Sequence, residues 1–172
     1  MTPTNSQPPA SARTQDLVEI QQLLAKYAVT ITQGDVDGLV SVFTSDGTYS
    51  AFGDTYTLNR FPVLVDAAPK GLFMTGTALV EFDGDTSDAA TGTQPLCFIE
   101  HSKHDMRIGY YNDTYVRTGD GWRLKTRAMT FIRRNGDHDS GRPHAIGRPE
   151  PDVAAGAALE PNVAAGAAPE PQ

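Results

Sequence analysis

Three polar side chains at alternate positions of two neighbouring segments could do chemistry together. Tyr111 and Asp113 lie in "GYYNDTYVRT" and Arg127 lies in "WRLKTRAMTF", with the turn signal "GDG" between the two segments. This pattern is typical of a β-hairpin, in which alternate residues of each strand share a face. We expect Asp113 to pair with Arg127 across the two strands. Such a pair can support negative charge that develops during a reaction, or it can serve only the structure of the sheet.

Two further residues are candidates for moving a proton. Asp35 can either cap a helix or orient a water molecule. His101 is the one histidine of the expected domain core that could act as a base, provided that its strand turns it inward. We therefore take Asp35, His101 and Arg127 as the candidate catalytic set.

A second group of residues offers apolar or amphipathic surface to a ligand. The expected lining of a pocket comprises Tyr27, Tyr49, Phe73, Met74, Tyr111, Asp113, Met129 and Phe131. The tyrosines could equally be packed core residues. No Cys/His spacing indicates zinc and Cys97 is the single cysteine, so we expect neither a metal nor another cofactor.

The elements that position these residues are predicted to be two helices, a turn and short strand within 44–53, a third short helix and then four strands. Apolar residues recur at helical spacing over 17–31, Asp35 precedes a second helix, and a third short helix is expected over 59–69. Residues 72–134 read as four antiparallel strands, the second with a bulge or a sheet edge expected at Gly92 and Pro95. Helices gathered at one end of an antiparallel sheet predict an α+β fold. We expect a cone, in which a curved sheet wraps the long first helix and encloses a cavity.

The two ends of the chain differ in composition from this core. Residues 1–13 are rich in Pro, Ser, Thr and Asn and are expected to be disordered, and Thr14 or Asp16 can then cap the first helix. The domain is expected over 14–136. Residues 137–172 are expected to form a flexible tail, because "EPDVAAGAALEPNVAAGAAPEP" repeats with a period of ten and offers almost no large apolar side chains.

The negative net charge of the chain limits the kinds of partner that we expect it to bind. The 172 residues carry a formal net charge of −7, which disfavours nucleic acid and anionic membrane surfaces. The start lacks the apolar run of a signal peptide, and no stretch of about 18 apolar residues could span a membrane. The expectation is a soluble cytoplasmic protein.

Three segments resemble a known family. They are "LLAKYAVTITQGDVDGLVSVFTSDGTY", "ALVEFDGDTS" and "YYNDTYVRTGDGWRLKTR". Together they resemble the SnoaL-like branch of the nuclear transport factor 2-like superfamily over residues 14–134. The resemblance implies a cone-shaped α+β barrel whose mouth admits a small hydrophobic molecule. It implies no single chemistry, since the family includes cyclases, dehydratases, a dehydrochlorinase, isomerases and members without known activity.

The dehydratase and dehydrochlorinase members use an Asp near the end of the first helix to orient a His that abstracts a proton. The resemblance places Thr32 at the Asp position and Phe73, with Met74 beside it, at the His position. Both members of that dyad are therefore absent, and we expect no dehydrochlorinase activity from that pair. Arg127 matches an arginine that stabilises an anion or a leaving group in that branch, and Tyr111 and Asp113 match its "Y-x-D" strand.

Three functions remain open from the sequence. The first is a cofactor-independent lyase, isomerase, cyclase or hydrolase that acts by proton transfer on a small, largely apolar molecule. The second is a catalytically silent module that binds such a molecule. The third is an assembly subunit that resembles the small subunit of ring-hydroxylating dioxygenases. The expected partners are a small hydrophobic ligand and further copies of the chain in a dimer or trimer, without nucleic acid or membrane.

Overall fold

The computed structural model describes residues 10–84, 87–132 and 138–139. Two helices come first, a third follows the first two strands, and the other strands come after it. The helices are α1 (Ala10–Gln33), α2 (Val36–Val40) and α3 (Phe61–Ala67), with a 3-10 turn at Leu58–Arg60. The strands are β1 (Phe43–Ala51), β2 (Asp54–Thr57), β3 (Gly71–Thr75), β4 (Leu79–Phe82), β5 (Ala89–Glu100), β6 (Met106–Thr118), β7 (Gly121–Ile132) and β8 (His138–Asp139).

The strands form one mixed, curved sheet. Its order is β2-β1-β7-β6-β5-β3, with β4 also paired to β5 and β8 to β7. Every pairing among the described strands is antiparallel except that of β1 with β7, which is parallel. Ile20, Leu24 and Tyr27 of α1 pack against the inner face of this sheet in a single apolar core. The predicted α+β class is confirmed.

The first helix starts earlier than expected. It begins at Ala10, so residues 10–13 are helical and neither Thr14 nor Asp16 caps it. Asp16 instead accepts hydrogen bonds from Arg117 and from the indole of Trp122, the latter at 3.3 Å. Burial alone would raise the pKa of Asp16, but these two donors outweigh it and lower the pKa. The carboxylate therefore connects α1 to the sheet.

No helix in the described ranges is long and apolar enough to cross a membrane.

The second helix begins where the sequence predicts, whereas α3 begins at Phe61, two residues after the predicted start at residue 59. The Gly38 N–H donates to Asp35 Oδ1 at 2.9 Å, so Asp35 caps α2. Pro62 lies in the first turn of α3, where a proline needs no N–H partner.

The segment predicted as one strand over 72–82 is two strands, because β3 and β4 are separated by residues 76–78 and pair with different parts of β5. Pro95 lies opposite this gap, so its missing N–H costs no ladder hydrogen bond on that side. The prediction is wrong for Gly92, which is paired on both sides, and no bulge occurs at either position, but Pro95 does lack a ladder partner on one side. The strand β5 pairs with β6 without a register shift and has β3 and β4 on its other side.

A β-bulge changes which residues of β7 face inward. Thr126 pairs with Thr114, but Leu124 pairs with Tyr115, so Lys125 is the extra residue. Without the bulge, strict alternation would put Lys125 on the same face as Arg127. Leu124 is instead buried while Lys125 faces solvent and forms an ion pair with Asp46.

The predicted C-terminal tail lies almost wholly outside the described residues, and so does its ten-residue repeat. Residues 138–139 are the exception, since they pair with the end of β7. The last described strand therefore lies beyond the predicted domain end at residue 136.

Candidate ligand-binding cavity

A cavity of about 450 Å³ opens between the end of α1, α3 and the inner face of the sheet. Five of the predicted lining residues line it, namely Tyr27, Tyr49, Phe73, Met129 and Phe131. Met74 does not, because it follows Phe73 on β3 and points to the opposite face, where it is 53% exposed. A cavity of this size falls in the range of sites for small molecules.

The wall of the cavity is apolar with a few polar groups. The polar lining residues are Tyr27, Thr32, Gln33, Tyr49, Tyr56, Lys70 and Arg107, and no Asp, Glu or His of the described chain is among the lining residues. Burial raises the pKa of Tyr27, although the charge of Arg127 opposes the shift, so its phenol is neutral. Within the described ranges no three His, Cys, Asp or Glu side chains are grouped to hold a metal.

Thr32 and Phe73, which the family resemblance assigns to the two dyad positions, are neighbours in space. The Phe73 N–H donates to Thr32 Oγ1 at 3.1 Å, and both residues line the cavity. The Phe73 ring packs against Phe98, with 4.8 Å between the ring centroids. A hydroxyl group and a phenyl ring therefore occupy these two positions of the cavity wall.

Beneath the cavity lies a buried charged cluster. Arg127 donates from Nε to Asp113 Oδ1 at 2.9 Å and from Nη2 to Asp113 Oδ2 at 2.7 Å, and both side chains are fully buried. The predicted cross-strand pairing of the two residues is confirmed. Arg127 Nη2 also donates to Gln94 Oε1 at 2.8 Å, and the Tyr115 hydroxyl donates to Asp113 at 2.8 Å.

Two tyrosine rings enclose the guanidinium. Arg127 Cζ lies 4.1 Å from the ring centroid of Tyr27 and 3.9 Å from that of Tyr111. Burial would lower the pKa of Arg127, but Asp113 outweighs it and raises the pKa, so the charge is permanent. Arg127 Nη1 and the Tyr111 hydroxyl have no hydrogen-bond partner among the described residues. Of this cluster, only Tyr27 lines the cavity.

A family model described as a SnoaL-like domain matches residues 12–128. The chain belongs to the SnoaL-like domain family. Rv2910c, an uncharacterized protein of Mycobacterium tuberculosis, is 34% identical over 135 residues, which covers 69% of this chain and 87% of that protein.

Solved structures agree with this assignment at the level of fold. A variant of Rv3472 from Mycobacterium tuberculosis, a protein of unknown function, shares 26% identity at a TM-score of 0.65, with 73% of this chain and 76% of that chain covered. An NTF2-like protein with a cystatin-like fold from Novosphingobium aromaticivorans shares 22% identity at a TM-score of 0.65, with 77% and 96% covered. At that identity the second similarity shows the fold alone.

The SnoaL-like domain does not bring the candidate catalytic residues together. Asp35 is exposed at its helix cap, and the His101 side chain is 68% exposed in the turn after β5, where its Nδ1 lies 3.0 Å from the Lys70 carbonyl oxygen. Arg127 is buried below the cavity. None of the three lines the cavity, so their catalytic role stays a prediction without support from their placement.

Sequence reasoning missed several lining residues of the SnoaL-like domain. Arg107 shares the inward face of β6 with Tyr111, so strand alternation could have identified it. Lys70 lies in a connection between elements, and no periodicity marks it. Phe52 has a positive φ of 55°, which is rare for an aromatic residue, and its ring stacks on Phe131 at 5.0 Å between centroids.

Proposed function

We propose that this SnoaL-like domain binds a small, largely apolar molecule in its cavity and releases it chemically unchanged. The observation that carries the proposal is the lining itself, which is mostly apolar and, in the part of the chain that the structure describes, includes neither a carboxylate nor an imidazole. Proton abstraction requires a base within hydrogen-bond reach of the substrate. Sparse polar groups on an apolar wall are what small-molecule sites usually offer.

The neutral polar anchors inside the cavity include several hydroxyl groups. Tyr27 offers a neutral phenol, and Thr32 offers a hydroxyl that already accepts from the Phe73 N–H. The Tyr49 hydroxyl contacts Met129 Sδ at 3.6 Å. Such groups orient a ligand by hydrogen bonds without reacting with it.

A fluorescent apolar probe, N-phenyl-1-naphthylamine, tests the proposal. Phe73→Trp fills the cavity, whereas Leu79→Trp adds the same ring at a position that is 69% exposed and outside the lining. Phe73→Trp should weaken probe binding about tenfold, while Leu79→Trp should leave it unchanged. Equal effects of the two variants, or no binding by the parent, would refute the proposal.

A catalytic alternative rests on Tyr27. Its ring packs on the Arg127 guanidinium at 4.1 Å, and this positive charge partly offsets the rise in pKa that burial causes, so the neutral phenol is a hydrogen-bond donor for a developing oxyanion. Native mass spectrometry of the purified protein should identify any bound molecule, which can then be incubated with excess protein. Recovery of unchanged ligand supports the binding module. Conversion that is lost in Tyr27→Phe supports a cofactor-independent lyase or isomerase.

We also propose that the domain self-associates through the outer face of the sheet. Leu72 and Met74 on β3, and Met106 and Ile108 on β6, are 46–68% exposed there. Strands β3 and β6 lie on either side of β5. A second copy related by a twofold axis would therefore place β3 of one copy over β6 of the other. Exposed apolar side chains gathered on one face favour such contact.

A further inference from the structure

The polar groups of the cavity are not spread evenly, because both charged lining residues are cations. Lys70 and Arg107 are the only charged side chains among the lining residues of the described structure. We propose that the ligand is an apolar carboxylic acid, bound with its carboxylate beside Lys70 and Arg107 and with its apolar body directed toward Met129. This inference rests on the proposed function and specifies the chemical class of the molecule.

The register of the sheet places Arg107 at the outer end of the cavity. Arg107 pairs with Phe98 of β5, which in turn pairs with Phe73 of β3. Toward the other end lies the lining residue Met129, at the level of Tyr111 with which it pairs. Four residues of strand separate Arg107 from Tyr111, which corresponds to roughly 13 Å. A ligand whose charge lies beside Arg107 thus has room for an apolar body about the length of two fused rings.

Lys70 is the second charged residue that lines the cavity. Its ammonium donates to the Val65 carbonyl at 2.6 Å and to the Asp66 carbonyl at 3.4 Å, both at the end of α3. These acceptors are neutral, so they position the ammonium without cancelling its charge. The Arg107 guanidinium lies over the Phe98 ring, with Cζ 5.9 Å from its centroid. Both cations therefore stand next to apolar wall.

The carboxylate of Glu100 is directed away from the cavity, into the turn after β5. Glu100 ends β5, but its carboxylate accepts from the N–H groups of Ser102 at 3.0 Å and Lys103 at 2.7 Å, within the turn that follows. A ligand cation would meet the like charge of the Lys70 ammonium. A carboxylate would gain charge-assisted hydrogen bonds, which are stronger than those of a neutral hydroxyl group.

Isothermal titration with a matched pair of probes tests the inference. Naphthalene-2-carboxylate and 2-naphthylmethanol share a ring system and differ in charge. The carboxylate should bind about fivefold more tightly than the alcohol, and Lys70→Met should remove most of that preference, because one partly exposed ion pair contributes on this scale. Lys70→Arg, which keeps the charge, should retain the preference.

The control removes the same charge from a distant position. Lys26 is exposed, donates to Ser41 Oγ at 2.8 Å and is not a lining residue, so Lys26→Met should leave the preference intact. If the parent binds both probes equally and Lys70→Met changes neither, the inference is wrong and the proposed function survives. If the parent binds neither probe and also fails to bind N-phenyl-1-naphthylamine, the proposed function fails as well.

Discussion

Replacing Arg127 by methionine should strongly destabilise the domain, because it leaves the carboxylate of Asp113 buried without its cation. Both side chains are fully buried, and Asp113 would retain the hydrogen bond from the Tyr115 hydroxyl, which brings no compensating charge. Breaking a buried pair by removing one partner typically costs about 3–5 kcal/mol. The lost packing of the guanidinium on Tyr27 and Tyr111 adds to this cost.

Urea unfolding measures the effect directly. Trp122 is the one tryptophan of the chain and is 2% exposed, so its fluorescence reports the loss of the core. Lys125→Met is a matched control on the same strand. It breaks the ion pair between Lys125 and Asp46, in which the two side chains are 39% and 71% exposed, respectively. Such a surface pair contributes at most about 1 kcal/mol.

A double variant separates the unpaired charge from the lost contacts. Arg127→Met combined with Asp113→Leu removes both charges, so it should be more stable than Arg127→Met alone. The reasoning is refuted if Arg127→Met costs no more than Lys125→Met. It is also refuted if the two single losses in the double variant simply add.

The cavity wall, the turn after β5 and the outer face of the sheet each lead to a measurable outcome. Phe73→Ala should alter the affinity for N-phenyl-1-naphthylamine while costing less than the roughly 3–5 kcal/mol of a fully packed phenylalanine, measured by titration and urea unfolding, because Phe73 borders a cavity. Backbone N–H groups of the following turn lower the pKa of Glu100 to about 2, so the carboxylate stabilises the fold above pH 4.5 and this contribution is lost as the pH falls through about 2. Glu100→Gln should abolish that part of the pH dependence of stability. An NMR titration of Glu100 with an ordinary midpoint would contradict this expectation. Ile108→Lys should convert an oligomer into monomers by light scattering, whereas a monomeric parent at micromolar concentration would exclude the proposed outer-face contact.

Several features of this domain were predictable because they depend on local patterns. The pairing of Asp113 with Arg127 follows from their alternation around a short turn, and Asp35 caps α2 as its position before an apolar helix predicts. The family resemblance supplied the fold and the expectation that Thr32 and Phe73 correspond to positions that meet in enzymes. The hydrogen bond between them agrees with that correspondence.

Other features depend on contacts that a single sequence does not display. Counting alternate residues assumes an unbroken ladder of paired residues. It therefore misses the bulge at Lys125, which moves that side chain to the face opposite Arg127. The charged lining residue Lys70 was missed because its position depends on where α3 ends relative to β3. Asp16 resembled a helix cap, but its partners Arg117 and Trp122 are distant in sequence.

The parallel pairing of β1 with β7 also constrains how the domain folds. β7 lies between β1 and β6, so the segment that closes the sheet joins residues as distant as Phe43 and Leu124. During synthesis, α1 and the β1–β2 hairpin emerge from the ribosome before β7 does. Until β7 is made, their apolar faces have no strand to pack against. High contact order of this kind slows folding, because chain entropy is lost before the distant contacts form. We therefore expect the cavity to form late in folding, when β7 adds Met129 and Phe131 to the wall formed by the N-terminal elements.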